Sequence, residues 1–126
     1  MTRMLTVGAA QLGPIARQDS RRDVVERMIA LIEKAAARGV GLVVFPELAL
    51  TTFFPRWFME DQAEVDAFFE TAMPNADTQP LFDRARALKI GFSFGYGELV
   101  EEGGETHRYN TAILVDAAGN IVHRYR

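Results

Sequence analysis

Apolar residues fall in blocks whose spacing changes along the chain, and each change predicts an element. Met4–Gln11 (MLTVGAAQ) is a short, nearly continuous apolar run of the kind that forms a buried strand. Leu12-Gly13-Pro14 breaks it. Asp19 or Ser20 is suited to cap a helix. Val25, Met28, Ile29, Ile32 and Ala36 then recur at helical spacing and form one apolar face. Arg38-Gly39 ends that helix, the glycine being free to take positive φ. Val40–Phe45 (VGLVVF) is apolar throughout rather than alternating, which predicts a parallel strand covered on both faces. Strand, helix and strand in this order predict a βαβ unit.

The pattern stops at Pro46-Glu47. Leu48–Trp57 (LALTTFFPRW) has no regular period and is rich in aromatics. Asp61 opens a second helix, predicted to run to about Ala72 with Val65, Phe68 and Phe69 inward. Pro74 to Pro80 is a break, and Pro80 suits the first turn of a helix over Leu81–Leu88. Ile90–Tyr96 (IGFSFGY) reads as a third strand. Glu101–Glu105 contains Gly103-Gly104, a hairpin signal, followed by a strand over Thr106–Val115. Asp116–Asn120 is a further turn, and Ile121–Tyr125 a fifth strand. Five strands and three helices leave faces uncovered, so the pattern predicts the first part of a larger layered domain.

Composition narrows the function classes. The 126 residues suffice for one domain with a core, and 48% hydrophobic with 25% charged residues is a globular balance. Seventeen acids against fourteen bases give a net charge of −3, which argues against a nucleic-acid partner. Cysteine is absent, so disulfides and a cysteine nucleophile are excluded within these residues. No apolar run approaches the ~20 residues of a membrane span. No export signal follows Met1, so the expected location is cytoplasmic.

Glu47 is the leading candidate for chemistry. A carboxylate directly after a fully apolar strand sits at the strand's carboxyl end, where open α/β sheets place ligands. Partial desolvation there would suit it to proton transfer, and Pro46 restricts the backbone that aims it. Its plainer role would be a loop cap or an arginine partner. Ser93, in Gly91-Phe92-Ser93-Phe94-Gly95, formally matches G-x-S-x-G, with Asp116 and His123 following in order. A nucleophile elbow needs a sharp strand-to-helix turn, whereas Phe92 and Phe94 alternate around Ser93 as in a strand. His107 and His123 lie on different predicted strands without a metal-ligand spacing. Lys34 and Lys89 are expected to be solvated. Glu98 and Asn110 could each support a site, and buried hydrogen bonding within the sheet is the role expected of them. Phe53, Phe54, Trp57 and Phe58 are packing residues whose place after Glu47 makes pocket lining reasonable. No phosphate-binding glycine loop occurs.

Val43-Val44-Phe45-Pro46-Glu47-Leu48 resembles the first signature of the nitrilase superfamily, the carbon–nitrogen hydrolases. Gly8-Ala9-Ala10-Gln11, Gly95-Tyr96-Gly97-Glu98, Tyr109-Asn110-Thr111-Ala112, Val115-Asp116 and Gly119-Asn120-Ile121-Val122 are similar to further family segments, in the same order. Glu47–Trp57 (ELALTTFFPRW) looks more specifically like N-carbamoyl-D-amino-acid amidohydrolases. The resemblance implies an α/β fold, the α-β-β-α sandwich, with residues 1–126 as the N-terminal portion of one domain. It implies a Glu-Lys-Cys triad of which only the glutamate maps here, onto Glu47. The lysine would be the residue after Tyr125-Arg126, and the cysteine would lie further downstream. The implied reaction converts an N-carbamoyl-D-amino acid to the D-amino acid, carbon dioxide and ammonia, without metal or organic cofactor. Multimers are common in the family, so a homo-oligomer or a separate C-terminal half is the implied partner. The chain alone is expected to be inactive. The alternatives are another amidase of the superfamily, an N-carbamoyl-β-amino-acid hydrolase, or a truncated interaction module without catalysis.

Overall fold

Ser20 starts the longest helix because two orphan donors are satisfied together. Its hydroxyl accepts from the Asp23 backbone N–H at 3.1 Å, and the Asp23 carboxylate accepts from the Ser20 N–H at 3.2 Å. Helix α1 (Arg21–Ala36) follows, burying Val24, Val25, Met28 and Ile32. The computed structural model describes all 126 residues. Around α1 it places β1 (Val7–Ala9), β2 (Leu42–Val44), α2 (Gln62–Asp66), β3 (Phe69–Glu70), α3 (Gln79–Ala87), β4 (Gly91–Glu102), β5 (Glu105–Val115) and β6 (Ile121–Tyr125).

All strands share one mixed sheet in the order β1-β2-β4-β5-β6, with β3 also on β4. The expected βαβ unit is present: β1 and β2 pair in parallel, with Val7 opposite Leu42, and α1 connects them. β2 pairs in parallel with β4, and β4, β5 and β6 form an antiparallel meander. α1 and α3 cover one sheet face. There Phe82 of α3 meets Phe92 edge-on at 5.1 Å between centroids, and Met28, Ile32, Val43, Ile113 and Val115 complete the core. No helix is long and apolar enough to cross a membrane.

Four expectations need correction. The strand over Val40–Phe45 was expected to be covered on both faces. Val43 and Phe45 are buried under the helices, but Val44 on the other face is 41% exposed, as are Val7 and Tyr125 to a greater degree. Residues 1–126 thus build one α layer and one β layer. The helix expected over Asp61–Ala72 stops at Asp66. Val65, Phe68 and Phe69 share a helical face by spacing, but both phenylalanines pack on Phe54, at 5.1 and 5.4 Å. Phe69-Glu70 then pairs with Gly97-Glu98 of β4. A glycine is required at 97, because a Cβ there would stand 3.1 Å from the Phe69 ring. The third strand runs past Tyr96 to Glu102, since Leu99 and Val100 pair with Arg108 and His107 across the hairpin. The first strand is correspondingly shorter, with Met4 and Leu5 exposed.

Candidate active site

Glu47 is aimed by a bulge between two hydrogen bonds. The Phe45 N–H donates to the Ser93 carbonyl at 2.8 Å, and the Ala49 N–H donates to the Gly95 carbonyl at 2.9 Å. Four residues advance on this side while β4 advances two, so Pro46-Glu47-Leu48 must bow outward. Leu48 takes up the turn in the left-handed region, at φ 47°, a conformation that costs a non-glycine residue about 1–2 kcal/mol. Burial of Leu48 against Phe54 and Phe68 holds it there. The Glu47 carboxylate is thereby lifted off the end of β2 onto the bare face of the sheet.

Three hollows of about 210, 380 and 290 Å³ meet at Glu47. The first is walled by Leu12–Ile15 and the loop from Pro46 to Arg56. The second is walled by Phe53, Phe54, Phe69, Arg108 and Tyr109, and the third by Ser93, Ala112 and Tyr125. Phe53 and Phe54 therefore do line the site, whereas Trp57 and Phe58 do not. Glu47 itself is exposed. The partial desolvation expected for it is not supplied by these residues, because the aromatic cluster of Phe54, Phe68 and Phe69 leaves the carboxylate itself exposed.

Asn110 was expected to bond within the sheet. Instead its side-chain amide donates to Glu47 Oε1 at 2.5 Å. No sequence spacing announces this contact, since the partners are 63 positions apart and meet only through the register of β4 and β5. Arg108 borders the second hollow but is occupied. Its Nε and Nη2 fork onto Asp66 at 2.6 and 2.8 Å, and that guanidinium, helped by Gln62, holds the Asp66 carboxyl down to about 2.

Glu98 does bond within the sheet, on the helix-covered face. It is 5% exposed, accepts from the Thr111 hydroxyl at 2.7 Å, and receives Arg124 and Arg126 at 2.8 Å each. Arg124 on β6 and Arg126 just past its end are two positions apart in one extended run, so both reach the same face. That spacing was the available signal in the sequence. The Arg126 hydrogen bond, together with Thr111 and the charge of Arg124, outweighs burial and holds the Glu98 carboxyl below its ordinary value of 4.5. Beside it, burial and then the Glu98 charge push the Tyr96 hydroxyl up to about 12. Because the Glu98 carboxyl is depressed in the folded chain, its stabilisation is present above about pH 4.5 and is lost as pH falls further. The melting temperature is expected to drop across that window. Glu98→Gln should melt lower at neutral pH and lose less on acidification. An unchanged acid sensitivity in this variant would remove Glu98 from the account.

Ser93 is half-buried in β4, opposite Leu114 and Val44. Asp116 accepts from the backbone N–H groups of Ala118 and Asn120 in its own turn, both at 2.9 Å. His123 is an exposed β6 residue opposite Leu114. The three do not assemble into a triad. His107 stacks on Tyr109 at 6.1 Å, and Lys34 and Lys89 are solvated as expected.

Gly95 closes the site from behind. A Cβ there would lie 3.2 Å from the Leu48 N and 3.3 Å from the Glu47 Cα, both backbone atoms. Gly95→Ala is expected to cost about 1–3 kcal/mol by overpacking, read from urea unfolding, and to displace Glu47. A variant as stable as the parent would mean that the bulge yields freely.

The model of the family described as Carbon-nitrogen hydrolase matches residues 6–126. A formamidase from Bacillus thuringiensis (strain Al Hakam) is 28% identical over 121 residues, covering 90% of this chain and 33% of its own length. The chain therefore spans about one third of the curated relatives it matches. Among solved structures, a carbon-nitrogen hydrolase from Helicobacter pylori G27 superposes with a TM-score of 0.70 at 21% identity, over 97% of this chain and 39% of that one. An amidase from Nesterenkonia sp. does so with a TM-score of 0.66 at 19% identity, over 97% and 42%. At these identities the structures establish the likeness of fold.

Proposed function

This chain belongs to the carbon–nitrogen hydrolase family, and we propose that it supplies the glutamate arm of an amidohydrolase cleaving N-carbamoyl-D-amino acids to D-amino acid, carbon dioxide and ammonia. The observation that carries the reading is the Glu47 carboxylate, lifted by the Pro46–Leu48 bulge to the point where three hollows meet. The segment Glu47–Trp57 supports the carbamoyl substrate by its resemblance.

Glu47 takes the proton of a cysteine thiol as the sulfur attacks the carbamoyl carbon. The tetrahedral oxyanion collapses as Glu47 returns that proton to the leaving ammonia. A water, deprotonated by the same carboxylate, then hydrolyses the cysteine thiocarbamate, and the carboxylate returns the proton to the departing sulfur. The released carbamate loses carbon dioxide to leave the amino acid. Cysteine and oxyanion donor both come from outside these residues. The register of β5 and β6 supports the lysine that the resemblance implies. Ala112 stands opposite Tyr125, so a strand continuing past Arg126 presents its next residue opposite Asn110. Directly opposed side chains share a face about 5 Å apart, here the face of Glu47.

A second reading is favoured by the formamidase relatives: a short amide in place of the carbamoyl amino acid. The test uses this chain joined to, or mixed with, a cysteine-bearing remainder of the domain. Ammonia release is measured on N-carbamoyl-D-amino acids, their L forms, N-carbamoyl-β-alanine, formamide and propionamide. Preference for the D-carbamoyl substrates is expected. Preference for formamide would shift the reading to the second, and no release from any of them would overturn both.

A further inference from the structure

We propose that Asn110 is a positioning residue for Glu47: its amide engages Oε1, fixing the carboxylate in one orientation and leaving Oε2 as the oxygen that exchanges protons. This rests on the reading of Glu47 as the proton acceptor given above. The contact is Nδ2 to Oε1 at 2.5 Å, and Oε2 receives no hydrogen bond from residues 1–126.

The reach required shows how specific the arrangement is. Glu47 lies beyond β2 and Asn110 on β5, with β4 between them. The bulge narrows that gap by setting the Glu47 Cα over the middle strand, 3.3 Å from where a Gly95 Cβ would stand. Gly95 leaves room for the Glu47 backbone, and Gly97 stands directly opposite Asn110 with the Phe69 ring packed over it. A Cβ at either glycine would stand on the same face as the contact. The chemistry also has a direction. An amide NH₂ can only donate, and a carboxylate oxygen can only accept. When Oε2 takes a proton, Oε1 remains an acceptor, so the hydrogen bond can persist through both halves of the reaction. Asn110 is exposed and belongs to no core cluster, so a purely architectural role would leave little to lose.

The first arm of the test needs no catalysis. In the 126-residue chain, the Asn110 side-chain amide proton is expected downfield by NMR, to move as Glu47 titrates, and to return to a free-amide position in Glu47→Ala. An Asn110 signal identical in parent and Glu47→Ala overturns the proposal. The second arm uses the enzyme completed by its cysteine-bearing remainder. Asn110→Asp keeps size and shape, removes the donor and adds a like charge. It is expected to lower kcat by about 10- to 100-fold through misplacement of the base. KM should stay within about twofold, and the acid limb of the kcat/KM profile should move to higher pH, because a like charge disfavours the ionised carboxylate. Asn110→Ala is expected to lower kcat without a change in melting temperature. An unchanged kcat in both variants overturns the proposal, as does a kcat loss that tracks a fall in melting temperature with no movement of the limb. Failure of the reading of Glu47 is separable: Glu47→Gln would then be fully active while the NMR contact still stands.

Discussion

Glu47→Gln, in an enzyme completed around this chain, is expected to lower ammonia release by about 10²–10⁴-fold, the usual worth of a positioned general base. Gln has the same shape, and its carbonyl oxygen can still accept from Asn110, so the bulge and the hydrogen bond at 2.5 Å need not change. What disappears is an oxygen able to hold a proton. The residue is exposed, so stability should stay within about 0.5 kcal/mol of the parent. A large loss of turnover with an unchanged melt therefore isolates chemistry from folding. Turnover within about tenfold of the parent would mean that another group takes the proton.

The largest effect on stability is expected at Phe92. Its ring has no exposed surface. It meets Phe82 of α3 edge-on at 5.1 Å and Phe94 at 6.1 Å. Removing it opens a cavity where helix layer and sheet join, and a buried Phe→Ala change costs about 3–5 kcal/mol. Small domains hold only about 5–15 kcal/mol in total, and this chain covers one face of its sheet. Phe92→Ala is therefore expected to abolish a cooperative urea transition followed by circular dichroism. Val44→Ala on the bare face provides the contrast. Val44 is 41% exposed, so the change should cost little in the 126-residue chain, and more in a polypeptide where that face is covered. Equal costs at Val44 and Phe92 would contradict the assignment of the two faces.

Much of this arrangement is legible in the residues because local physics decides it. The α1 face at Val25, Met28, Ile29 and Ile32 repeats at helical spacing, and Ser20 with Asp23 caps it. The apolar run ending at Pro46-Glu47 marks a strand end with an acid on it. What escapes is decided by pairing between distant segments. Phe68 and Phe69 fit a helical face, yet stacking on Phe54 and the space above Gly97 pull Phe69-Glu70 onto β4. Asn110 looks like any polar strand residue until the register sets it across Gly97 from Glu47. The two-sided cover of Val40–Phe45 was read from hydrophobicity, which reports what a strand can bury and not whether these residues supply the cover. The same bare face keeps Glu47 in water, so its expected desolvation depends on whatever lies over it.

The most direct test of Glu47 as proton acceptor for a sulfur is the reactivity of that sulfur. In the completed enzyme, alkylation of the cysteine by iodoacetamide near neutral pH is predicted to slow by at least about tenfold in Glu47→Gln, because the thiolate is the reactive form. Equal alkylation rates in parent and variant, with both proteins folded, would contradict the role given to this carboxylate.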